Sequence, residues 1–234
     1  MEIKGWFTRK RVIFLSLFFV LVLIAKQINF SSVIGAENQA FTLYQFFGPT
    51  AGAFLGPIFG GIAVLFAQLA DIIIFDKAFT LLNLLRFLPM VFAVIYFASK
   101  KKYVGVIVPL MCMFLFIVHP VGREAWIFSL YWLIPILSSL WPKRLLLLRS
   151  LGATFTAHAI GSVIWLYTVP MEAGQWLALI PVVAYERILF GMGIAGSYVV
   201  FNTVLDYLVE KFKIDLPFKE IILSKRYNLL RLFN

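Results

Sequence analysis

Long apolar runs broken by short polar punctuation organise the chain. The runs cover roughly 11–30, 40–75, 78–98, 103–118, 125–141, 145–168 and 176–208. Between the later ones stand Asp76-Lys77, Lys100-Lys101-Lys102, His119 to Glu124, Pro142-Lys143-Arg144 and Met171 to Gln175. Most runs approach the ~20 residues that a helix needs to cross a bilayer. The pattern predicts an all-α, polytopic membrane helix bundle of about six spans. The first run follows Lys4, Arg9, Lys10 and Arg11, as a signal peptide would. Gly35 and Ala36 offer only a weak cleavage site, so Arg11 to about Phe30 reads as an uncleaved anchor span.

Composition strengthens this reading. Of 234 residues, 62% are apolar and only 14% charged. Soluble domains are closer to half apolar and a quarter charged. Soluble enzyme and DNA-binding classes are thereby excluded. The single Cys112 allows no intrachain disulfide.

The net charge of +10 speaks to orientation rather than to nucleic acid. With the N-terminus cytoplasmic, one side collects Lys4, Arg9, Lys10 and Arg11, then Lys100 to Lys102, then Lys143, Arg144 and Arg149. Six more lie from Lys211 to Arg231. The opposite side keeps Lys26, Lys77 and Arg123. This asymmetry predicts a multi-pass cell-membrane protein with both termini cytoplasmic. Segment 40–75 must then begin and end outside. Its Gly48-Pro49-Thr50-Ala51-Gly52 is echoed by Gly56-Pro57-Ile58-Phe59-Gly60. Proline removes a backbone donor and glycine permits a bend. A broken hairpin is expected, either re-entrant or a pair of short crossings.

Ionisable groups inside a membrane are costly and become functional candidates. Arg86 falls about 12 Å into its span, His158 about 13 Å and Glu186-Arg187 about 15 Å, all from the outer end. Gln68 and Asp71 lie in the same half. Asn83 shares a helical face with Arg86, and Pro89 follows one turn later. Thr154, His158 and Ser162 form a polar stripe, with Trp165 beyond. Arg187, Gly191, Tyr198 and Asn202 share a face of the last span, while Glu186 points about 100° away and is expected to pair with Arg86. An outward-opening cavity is expected, lined by these groups and by Tyr44, Gln45, Trp126, Trp132 and Trp165. The candidate binding residues are Gln45, Gln68, Asn83, Arg86, His158, Glu186, Arg187 and Tyr198. A small polar solute, including an anionic one, would suit them. A purely structural charge network is the competing reading.

Catalytic motifs are missing from the sequence. HExxH, GxSxG and P-loop patterns do not occur, and His119 and His158 are the only histidines. No cofactor or metal is expected. An integral membrane enzyme or a lipid-carrier-handling protein using the same charged layer is the alternative. With no nucleotide site in the chain, ATP-driven transport would require coupling subunits.

The stretch 158–194, HAIGSVIWLYTVPMEAGQWLALIPVVAYERILFGMGI, reads as penultimate span, short outer loop and last span. With the small size and the inferred topology, it resembles the substrate-binding S component of energy-coupling factor (ECF) transporters. That resemblance implies about six spans, a ligand cavity in the outer half and an ATP-driven coupling partner. Such proteins often carry an Ala-x-x-x-Ala docking face in the first span. VIFLSLFFVLVLIA has none, and small residues at that spacing occur instead at Ala153, Ala157 and Gly161. No binding residue is carried over by motif.

Residues 1–216 read as a single transmembrane domain. After Pro217, the tail FKEIILSKRYNLLRLFN is too short and charged to span, and predicts a cytoplasmic amphipathic helix on the bilayer surface.

Overall fold

A computed structural model describes residues 9–32, 40–143, 145–211 and 224–229. It is mostly helical. Helix α1 (Arg9–Ala25) is followed by strands β1 (Asn29–Ser32) and β2 (Ala40–Thr42), a 3-10 turn (Leu43–Phe46) and helix α2 (Thr50–Ile74). Then come α3 (Leu81–Leu85), α4 (Leu88–Ala98), α5 (Lys102–Val118) and α6 (Pro120–Glu124). A second 3-10 segment (Trp126–Trp132) leads into α7 (Leu133–Leu140), α8 (Leu146–Thr168), α9 (Ala173–Ala178) and α10 (Ile180–Lys211).

Thr50–Ile74, Leu81–Ala98 and Ile180–Leu208 are long and apolar enough to cross a membrane. Leu15–Ala25, Lys102–Val118 and Trp126–Leu140 are apolar but shorter. The outer surface is apolar too: Ile58, Phe66, Ile73, Phe114 and Leu137 are exposed. Large apolar side chains exposed in this number suit lipid surroundings.

Helix α2 is broken as the Gly-Pro echo predicts. Gly56 takes φ 81° and ψ 172° inside the helical run, and Pro57 follows. That positive φ is open to glycine and strained for other residues, while Pro57 cannot donate to the preceding turn. The chain folds back there, bringing Gly60 against the backbone of Gly52. The first Gly-Pro serves differently. Pro49 caps the helix start, and Thr50 Oγ1 donates to the Phe47 carbonyl at 2.6 Å.

Two expectations need correction. The first helix ends at Ala25 rather than near Phe30, and the chain is not purely helical. β1 and β2 pair antiparallel, with Ser31 opposite Phe41 and Ser32 opposite Ala40. Asn, Ser and Thr favour turns and caps over helix interiors, and this segment concentrates them. Phe30, Phe46 and Phe41 close around Phe190 of α10 with ring centroids 5.0–5.7 Å apart, fixing the hairpin to the bundle.

Helix α8 is the central wall. Its Ala153 and Ala157 belong to one core, with Val22, Phe54, Val94 and Phe97. Phe155 and Ala159 belong to the other, with Phe116, Phe128 and Trp132. Ala153 and Ala157 are therefore packed inside the chain. Nearby, the Tyr96 ring lies against Gly152, and its hydroxyl donates to the Pro135 carbonyl at 2.8 Å.

The tail lies mostly outside the described residues. Its described part, 224–229, lies against α10 and contains a 3-10 turn (Lys225–Tyr227). Asn202 donates to the Ser224 and Tyr227 carbonyls at 2.9 and 3.2 Å and accepts from the Ser224 amide at 2.7 Å.

Candidate functional site

A cavity of about 170 Å³ opens between α2, α4, α8, α9 and α10, beside the β1–β2 hairpin. One water centre needs only about 10–15 Å³ of such space, so there is room for a small solute. Gln45, Gln68, Arg86, His158, Glu186 and Arg187 all line it. Five separate segments thus deliver polar groups to one space.

Local structure explains how each arrives. Gln68 lies one turn before Asp71 on the returning limb of α2. Arg86 sits in the break between α3 and α4, where Pro89 occupies the first turn of α4. His158 and Ser162 come from the polar stripe of α8, and Trp165 from the next turn. His158 Nδ1 accepts from the buried Trp132 indole at 3.2 Å. An imidazole whose Nδ1 accepts carries its hydrogen on Nε2.

Glu186 and Arg187 share the site, contrary to the helical-wheel expectation. Arg187 Nη2 is 3.6 Å from Glu186 Oε2. Ser31 Oγ in the hairpin donates to Glu186 Oε1 at 2.5 Å. The Arg187 guanidinium also stacks over Phe41 and Phe190, at 4.5 and 5.0 Å. Long side chains reach across the angle between their Cβ vectors, so backbone phase alone misjudged them. Among the described residues, Arg86 makes no ion pair with Glu186 or with any other carboxylate.

Asp71 serves elsewhere. It accepts from Lys26 and Lys77, both at 2.8 Å, and from Gln27 at 3.0 Å. It ties the end of α1 to the turn after α2 and leaves the cavity's arginines to Glu186 alone.

The other candidates lie outside the cavity wall. Asn83 closes a local turn, its Nδ2 donating to the Ala78 carbonyl at 2.8 Å. Tyr198 is buried in the core, stacked on Phe54 at 5.3 Å. Tyr44 is buried beside Phe47 at 5.7 Å, and Trp126 is half exposed on the surface.

The hydrogen-bond inventory adds the deciding feature. Among the described residues, six side-chain polar atoms are buried without a partner: Tyr44 Oη and His119 Nδ1 away from the cavity, and Gln68 Nε2, Trp165 Nε1, Trp176 Nε1 and Arg187 Nε. The last four of the six belong to residues of the cavity wall. Buried polar groups are nearly always paired.

No family model, curated protein or solved structure matches the chain.

The functional residues that sequence reading missed are Phe41, Trp176 and Ser31. Trp176 lies within a six-residue helix and looks like an interfacial aromatic. Ser31 and Phe41 act through a hairpin that no apolar periodicity announces.

Proposed function

We propose that the protein is a multi-pass membrane subunit that binds a small polar solute for transport, in the manner of an ECF S component. The observation that carries this reading is the clustering of unpartnered buried donors around one cavity. A purely structural charge network would satisfy its own donors, because each buried donor left unpaired costs about 1–3 kcal/mol. The reading places about six spans across the cell membrane, both termini in the cytoplasm and the cavity in the outer half. Segment 40–75 dips in and returns. ATP-driven coupling subunits would supply the energy.

The test fills the cavity. Gly161 lines it, and a Cβ there would touch only Pro89 Cγ at 3.7 Å, so a larger side chain has space to enter. Protein extracted gently from membranes should carry a small solute, seen by native mass spectrometry. Gly161→Leu should lose that solute and keep its melting temperature. A co-purifying lipid displaced by the same substitution would favour lipid-carrier handling. An unliganded wild type, indifferent to the substitution, would leave the charged layer as structure.

A further inference from the structure

We infer that the cavity selects a small, singly charged anion with an apolar body and few donors of its own, a monocarboxylate in its simplest form. The inference rests on the solute-binding reading and specifies the chemistry that the site accepts.

The first support is the type of polar group. The unpartnered atoms on Gln68, Trp165, Trp176 and Arg187 are all N–H donors. Indole and guanidinium nitrogens donate and do not accept, and the same holds for an amide nitrogen. His158 adds a donor at Nε2, since Nδ1 is already filled by Trp132. A ligand that brings acceptors matches the N–H groups these wall residues carry, beside the fewer acceptors of Gln45, Ser162 and Glu186.

Charge gives the second support. Arg86 and Arg187 face the cavity with one carboxylate, Glu186. Glu186 is already engaged by Ser31 and Arg187, and Asp71 is held by Lys26 and Lys77. One positive charge is left over, and it falls on Arg86. In surroundings of low dielectric that surplus attracts one negative charge strongly and repels a cation. The wall's own residues balance a single negative charge.

The remaining surface sets the body of the ligand. Much of the rest of the wall is apolar, including Pro89, Met90, Phe128, Ile164, Leu179 and Val183. They offer apolar contact and no polar atoms in their side chains. A compact or flat hydrocarbon part fits there, with the carboxylate toward Arg86.

Three probes with one phenyl body separate the possibilities: benzoate, its neutral isostere benzamide, and the cation benzylamine. Binding to purified protein is read by tryptophan fluorescence and by the shift in melting temperature. Benzoate should bind at least about tenfold more tightly than benzamide, since an ion pair with Arg86 replaces a hydrogen bond to a neutral carbonyl. Benzylamine should not bind. Arg86→Gln should weaken benzoate about tenfold or more while leaving the unliganded melting temperature unchanged. Trp165→Phe keeps an aromatic ring, removes one donor and should weaken benzoate by a smaller factor. If benzamide or benzylamine matches benzoate, or if Arg86→Gln has no effect on benzoate, the anion class is wrong and the solute site stands. If no probe binds but Gly161→Leu still displaces a co-purifying solute, the class again fails alone. If no probe binds and no solute co-purifies, both readings fall.

Discussion

Gly60 packs directly on the backbone of Gly52: a Cβ at Gly60 would stand 2.8 Å from both the Gly52 Cα and the Gly52 nitrogen. The two limbs of broken α2 therefore touch with no side chain between them. Gly60→Ala should force the limbs apart and cost about 1–3 kcal/mol, as overpacking does. Gly61→Ala, one position on, is the control, because its Cβ would meet only Val91 at 3.8 Å. Thermal melting in detergent should show a clear drop for the first variant and little change for the second.

Asp71 holds two ammonium groups, and the three partners are unequally buried. Side-chain exposure is 2% for Asp71, 16% for Lys26 and 39% for Lys77. Replacing the buried carboxylate strands Lys26, so Asp71→Asn should cost roughly 2–4 kcal/mol. Lys77→Ala removes the exposed member and should cost under about 1 kcal/mol. Comparable losses in the two variants would mean that the cluster behaves as a surface pair.

Asn202 fastens the tail to α10 through three hydrogen bonds. Asn202→Leu leaves those backbone groups without their partner and should cost about 1–3 kcal/mol. Limited trypsin treatment should then cut after Arg226 faster than in the wild type. Unchanged cleavage would show that other contacts, such as Asn228 with Asp206, hold the segment.

Membrane sidedness is open to direct labelling. Single cysteines at Lys77 and Glu172, in a Cys112→Ser background, should react with an impermeant reagent from outside. One at Lys101 should react only after permeabilisation. All three positions are exposed on the protein. Cytoplasmic labelling of Lys77 would invert the topology proposed for segment 40–75.

Much of the candidate site was legible because polar groups are rare and costly in apolar runs. Gln68, Arg86, His158, Glu186 and Arg187 each interrupt such a run, and each lines the cavity. The break in α2 was legible for a similar reason, since paired Gly-Pro steps leave little choice of backbone. Asn83 shows where this logic fails. Beside a turn, an amide satisfies the local backbone, and its place on a helical face carries no information. Tyr198 fails differently, because an aromatic ring on the polar face packs equally well into a core. The engagement of Glu186 by Ser31 spans 155 residues and depends on a hairpin, so nothing local in the sequence encodes it.

Helix α8 supplies residues to both cores and to the cavity, through Ala157, His158 and Gly161. A wall common to two compartments makes them a single cooperative unit: neither can melt while the other keeps its packing surface. Arg149 stands about 13 Å from His158 along the same helix. There the guanidinium lies 3.8 Å above the Phe97 ring and donates to the Phe97 carbonyl. A residue of the cavity wall and this charged contact are thus carried by one helix.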